Sequence, residues 1–61
     1  TYLEIVRSLI LDRGIIIDAD KLDRCAERFA LKRNGRSPRI ARQFADSLQS
    51  KLALGIDPEK M

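Results

Sequence analysis

Histidine and tryptophan are missing from this 61-residue chain, and cysteine occurs only once. Without histidine, the chain offers no imidazole general base and no histidine ligand for a metal. The single cysteine, Cys25, cannot form an internal disulfide, and its place on an apolar helix face predicts a buried thiol. We therefore expect no catalytic residue and no metal site here, and no familiar enzyme chemistry from this chain alone.

Long apolar runs are also missing. No stretch approaches the roughly 20 residues needed to cross a membrane, and nothing resembles a signal peptide. We therefore expect a cytoplasmic protein without a membrane partner. The chain begins at Thr1 and enters a helical pattern at Tyr2, which leads us to expect a piece of a longer polypeptide.

Acidic residues are absent from the middle of the chain. The formal net charge is only +3, but no carboxylate occurs between Glu27 and Asp46. The basic residues in that interval are Arg28, Lys32, Arg33, Arg36, Arg39 and Arg42. This uneven distribution predicts a positive field and an anionic partner, which could be a nucleotide, a nucleic acid or an acidic protein face.

What the chain does contain is helical periodicity. Three amphipathic segments, at about 2–12, 18–33 and 38–54, predict an all-α fold, a small three-helix bundle with short connections. The domain is expected to occupy residues 1–56, with 57–61 as a frayed tail. A chain this short buries only about 60% of the surface that its unfolded form exposes, so its stability should be marginal.

Each predicted helix has an apolar face. The expected core residues are Tyr2, Ile5, Val6, Leu9 and Ile10 in the first helix, Leu22, Cys25, Ala26, Phe29 and Ala30 in the second, and Ile40, Ala41, Phe44, Ala45, Leu48 and Leu52 in the third. The three isoleucines at 15–17 are expected to form a connector packed into the core. If they are incompletely buried, they would form an apolar patch suited to another domain.

The junction between the second and third helices concentrates several signals. Gly35 is expected to take the left-handed conformation that ends a helix, Ser37 to be an N-cap and Pro38 to be the first helical residue. Arg39 then falls in the first turn of the third helix, where a guanidinium and a helix N-terminus would both favour a phosphate. Spacing alone equally allows an ordinary capped helix start with solvated arginines.

Residues 35–41, Gly-Arg-Ser-Pro-Arg-Ile-Ala, resemble the sensor 2 motif in the lid domains of AAA+ ATPases. The branch-migration helicase of this class carries Gly-Thr-Pro-Arg-Ile-Ala, so Arg36 is an extra residue here. Residues 2–7, 26–30 and 35–44 together resemble the C-terminal end of an uncharacterised bacterial family of predicted AAA+ ATPases. That family often has Gly-Arg-Ser-Gly-Arg at the junction, so Pro38 replaces a glycine.

The resemblance implies the C-terminal lid of an ATPase that couples nucleotide state to domain movement. Arg39 would be the sensor 2 residue that contacts ATP, and Arg36 is a second candidate that could equally face a neighbouring subunit. The expected partners are a large α/β domain of the same polypeptide and neighbouring subunits of an oligomer. ATP and magnesium would be bound mainly by residues outside this chain, which has no Walker motif.

Two other functions fit the same residues. A small basic helical module could bind nucleic acid by placing the start of the third helix in a DNA groove, with Arg36, Arg39, Arg42 and Gln43 near the bases. A helical protein-interaction domain with solvated arginines is the third interpretation. Charge alone does not separate these possibilities.

Overall fold

Three α-helices build the protein in a computed structural model that describes residues 1–57. They are α1 (Tyr2–Asp12), α2 (Ala19–Arg33) and α3 (Pro38–Ala53), each bound lying within one residue of the expected position. The helices pack against one another as a small bundle, so the predicted all-α fold is confirmed. Of the expected tail, only Asp57 belongs to the described part, where its Oδ1 lies 3.4 Å from Lys21 Nζ. The remainder of the tail, residues 58–61, lies outside it.

The core follows the predicted apolar faces closely. Its buried residues are Tyr2, Val6, Ile10, Leu22, Cys25, Ala26, Ala30, Ala41, Phe44, Ala45 and Leu48. Cys25 is therefore the buried thiol expected from its position. The prediction was wrong for Leu52, which is 38% exposed because α3 continues past the part of the bundle that could cover it.

Side chains tie α1 to both other helices. Arg7 donates two hydrogen bonds to the Asp23 carboxylate on α2, and that interaction raises the pKa of Arg7. Arg13, directly after α1, lies 2.5 Å from Asp46 Oδ1 and donates to Gln49 Oε1 at 3.0 Å on α3. These contacts fix α1 across the pair formed by α2 and α3.

The isoleucine connector, residues 13–18, joins α1 to α2. Gly14 adopts a left-handed backbone (φ 68°), and the N–H groups of Gly14 and Ile15 donate back to Leu11 and Ile10. Asp18 then caps α2 by accepting from Lys21 N at 3.3 Å. Ile15 and Ile17 pack against the core, but Ile16 is 98% exposed. The expectation that all three isoleucines enter the core was therefore wrong at Ile16, because alternate residues of this extended segment face opposite sides.

Candidate functional site

The basic junction, residues 34–39, begins with a reversal of the chain after α2. Asn34, not Gly35, adopts the left-handed conformation, with φ 55° and ψ 43°. The N–H groups of Asn34 and Gly35 donate to the carbonyls of Leu31 and Ala30 at 3.2 and 3.1 Å. This is the Schellman arrangement, which asparagine can enter because its short polar side chain tolerates positive φ. The prediction for Gly35 was wrong by one residue.

The start of α3 has the predicted cap. Ser37 Oγ accepts a hydrogen bond from Ile40 N at 3.4 Å, and Pro38 is the first helical residue. The Ser37 carbonyl accepts from Ala41 N at 3.1 Å, which begins the helical ladder. Ile40 packs against the core and Ala41 is fully buried, so the backbone directly after Arg39 is fixed against the core.

These caps change the expected anion site. Pro38 has no N–H, while the N–H groups of Ile40 and Ala41 already donate to Ser37. In the first turn of α3, the N–H of Arg39 is the donor that has no acceptor within residues 1–57. Any affinity for a phosphate at this point would therefore come from the guanidinium more than from the helix end.

Arg39 is exposed in the first turn of α3. Within residues 1–57, its guanidinium makes neither a hydrogen bond nor an ion pair. Since the sequence has no acid between Glu27 and Asp46, no carboxylate on the junction itself competes for it. Arg39 is thus available for an anion from outside the chain.

Arg36 is in a different situation. Its guanidinium donates to Glu27 Oε2 at 2.6 Å, and both side chains remain partly exposed. The hydrogen bond to Glu27, and next the charge of Glu27, raise the pKa of Arg36. Contact between Arg36 and a phosphate would require this pair to open, so the two candidate arginines are not equivalent.

Tyr2 lies near the ion pair formed by Glu27 and Arg36, and both charges affect its pKa. Its buried hydroxyl donates to the Ala26 carbonyl at 2.9 Å and so links the start of α1 to α2. Burial raises the pKa of Tyr2, the charge of Glu27 raises it further, and Arg36 opposes both. Sequence reasoning identified Tyr2 only as a core residue, because periodicity reports the buried face and carries no signal for the hydroxyl's partner.

Sequence reasoning also missed a groove of about 200 Å³ between α2 and α3. Its floor is apolar and consists of Cys25, Phe29, Phe44 and Leu48. Its rim is basic and consists of Arg28, Lys32, Arg33 and Lys51. Basic residues directly beside an apolar face, spaced by one helical turn as at Arg28 and Lys32, are the signal that could have revealed it.

Two carboxylates near the start of α2 have structural partners. Asp18 caps α2 and Asp23 binds Arg7. Residues 1–57 contain no cluster of three or more potential metal ligands.

In the same range, none of the three helices has the length and hydropathy required to cross a bilayer.

Fold and site together define a small all-α bundle with a capped, acid-free helix junction, at which Arg39 has no partner within residues 1–57. Residues 1–52 match the family described as protein of unknown function (DUF815), and the chain belongs to that family. A search of curated proteins gave no match. No solved structure matches the chain either.

Proposed function

We propose that this chain is the C-terminal lid of a cytoplasmic AAA+ ATPase and that Arg39 contacts the phosphates of bound ATP. The observation that carries the proposal is the state of Arg39, which is exposed, without a partner in residues 1–57, and placed by a cap inside the Gly-Arg-Ser-Pro-Arg-Ile-Ala segment. An arginine fork donates two parallel hydrogen bonds to a phosphate, so one such residue suffices to sense it.

The chain fits only part of a nucleotide site. Arg39 can meet a phosphate, but the basic junction has no carboxylate that could hold magnesium. Under this proposal the magnesium, the attacking water and most of the ATP belong to a large α/β domain of the same polypeptide. Arg39 would supply charge stabilisation, and it would pull the lid toward that domain when ATP is present.

The exposed side of the isoleucine connector is consistent with such a partner domain. Ile16 is 98% exposed, and Leu11, at the end of α1, is 81% exposed. Two large apolar side chains so close in sequence are suited to burial against another domain. Neighbouring subunits of an oligomer could use the same surface.

Substitution of Arg39 in the longer polypeptide tests the proposal. Arg39→Ala should lower ATP turnover by roughly 10²-fold, a typical effect of removing one group that stabilises transition-state charge. The matched control is Arg42→Ala, which removes an exposed arginine from the next turn of α3 and should leave turnover nearly unchanged. Circular dichroism of both variants should match the parent because neither side chain is buried. Normal turnover in Arg39→Ala would remove Arg39 from the mechanism.

A nucleic-acid module is the second candidate, and the helix–turn–helix geometry favours it. Four residues, 34–37, connect α2 to α3, and Arg39, Arg42 and Gln43 are exposed in the first two turns of α3. This function predicts duplex DNA binding whose affinity falls steeply with salt, since bound phosphates release counterions. Affinity that is undetectable or insensitive to salt would exclude it.

A further inference from the structure

The groove between α2 and α3 is separate from the basic junction. Neither Arg36 nor Arg39 lines it. Its floor contains Phe29 and Phe44, whose ring centroids are 5.5 Å apart, and its volume is about 200 Å³. That volume is below the roughly 300–1,000 Å³ of small-molecule pockets, and it suits one large side chain of a partner.

The charge around the groove has one sign. All charged side chains that line the groove are basic. Lys32 lies on α2 and Lys51 on α3, so the two lysines are on opposite sides of the groove. A neutral apolar peptide would offer no carboxylate to Lys32 or Lys51. An acidic peptide could pair with both lysines, one on each side of the groove.

The aromatic floor is unsuited to a nucleobase. Arg33 covers the ring of Phe29 at 5.0 Å from its centroid, and Phe44 is only 3% exposed. Binding of single-stranded nucleic acid relies on open aromatic faces on which bases stack. Since neither ring offers one, the basic rim favours carboxylates over a polynucleotide.

We propose that this groove docks an acidic peptide segment that places one large apolar side chain on the groove floor, between α2 and α3. Carboxylates on either side of the inserted residue pair with Lys32 on α2 and Lys51 on α3. The occupant is therefore a segment of another protein or domain in which an apolar anchor is surrounded by aspartate and glutamate. This docking does not depend on the ATPase proposal, because it uses none of the junction arginines.

Binding of a synthetic peptide tests the inference. The probe is a fluorescein-labelled peptide with the sequence Glu-Asp-Glu-Phe-Glu-Asp-Glu, titrated with the 61-residue chain and followed by fluorescence anisotropy. We expect saturable binding with a Kd on the order of 100 µM, as a small groove and exposed ion pairs can provide. Replacing the phenylalanine of the probe by serine should abolish saturation.

Charge reversal locates the binding. The double variant Lys32→Glu, Lys51→Glu should weaken binding by roughly tenfold or more, since it turns two attractive contacts into repulsive ones. Lys51→Glu alone should weaken binding by roughly threefold. Arg42→Glu is its matched control, because it makes the same single charge reversal on α3 outside the groove and should alter the Kd by less than about twofold. Backbone amide chemical shifts of the unmodified chain, measured with the probe, should change within 25–33 and 44–51.

Several results would overturn the inference. They are equal affinity for the serine probe, equal affinity of the double variant, or shift changes confined to residues outside the groove. Binding of a labelled oligothymidylate that the double variant abolishes, with no binding of the peptide, would assign the groove to nucleic acid instead. Concentration-dependent dimerisation that the double variant abolishes would assign it to a second copy of the chain.

Discussion

The isoleucine connector and the basic junction are built in the same way but expose opposite chemistry. Each begins with one left-handed residue, Gly14 or Asn34, and two backward hydrogen bonds that close the preceding helix. Each ends with a side chain, Asp18 or Ser37, that caps the next helix. Between these devices, the connector exposes an isoleucine and the junction exposes arginines.

The difference shows which residues the fold needs. Caps and left-handed residues account for both turns, so neither Ile16 nor Arg39 is required to make its turn. The charges also separate, because Asp12, Asp18 and Asp20 flank the connector while the junction has no acid. Ile16 and Arg39 are exposed, and neither is needed to form its turn. We therefore assign both side chains to contacts with partners.

Both turns depend on a shared core, and Leu48→Ala should disrupt them together. Leu48 is 1% exposed, so truncation leaves a cavity and costs about 2–5 kcal/mol. The total stability expected for a chain this size is only roughly 3–9 kcal/mol, so the variant should keep only a small part of its free energy of unfolding. Amide hydrogen exchange would show protection falling at 13–18 and at 34–39 alike.

Leu52→Ala is the matched control on the same helix. Because Leu52 is 38% exposed and lies one turn beyond Leu48, its truncation should cost less than about 1 kcal/mol. If Leu48→Ala left protection at one turn intact, the two regions would not share a single cooperative unit, and the comparison between them would lose its basis.

The left-handed residues should respond to substitution in opposite directions. Gly14→Ala should destabilise by about 1–2 kcal/mol, the cost of a left-handed backbone for a residue with a Cβ. No atom lies within 4 Å of the added carbon, so the penalty is conformational only. Asn34→Gly should instead stabilise by roughly 0.5 kcal/mol, because it relieves the same strain. Urea unfolding of each variant measures both changes.

If Gly14→Ala and Asn34→Gly destabilised the protein equally, backbone strain at the left-handed residue would not explain both turns.

The comparison of the two turns also explains which features the sequence could reveal. At the first turn, Gly14 directly follows a helical pattern and enters the left-handed conformation without a Cβ penalty. At the second turn Asn34 and Gly35 both qualify, and only the hydrogen bonds to Leu31 and Ala30 decide between them.

Periodicity predicted the helices and most of the core, since it depends only on local spacing. It failed at Ile16 and Leu52 because burial at an edge of the bundle depends on how far neighbouring elements extend. The cap spacing and the family resemblance named Arg39 as the first candidate and Arg36 as the second, but neither revealed that Arg36 is already paired. Their difference depends on Glu27, which lies nine residues before Arg36 and reaches it only when α2 has formed.

Tyr2 provides a test that depends on pH. It is the only tyrosine of the chain, and its pKa is raised by burial and by the charge of Glu27, the partner of Arg36. A raised pKa in the folded state means that the phenol's stabilisation is complete below the unfolded value near 10.0 and is lost as the pH rises through the folded value.

Tyr2→Phe should therefore lower stability by about 0.5–1.5 kcal/mol at neutral pH, through loss of the hydrogen bond to Ala26, and should flatten the decline above pH 10. Urea unfolding at several pH values, compared with the parent, measures both effects, and ultraviolet absorbance follows phenolate formation directly. Arg36→Gln should raise the pKa of Tyr2 further, because it removes the nearby positive charge that favours phenolate. Titration of Tyr2 at the unfolded value would mean that its hydroxyl is not buried against α2. The start of α1 would then not be packed beside the pair formed by Glu27 and Arg36.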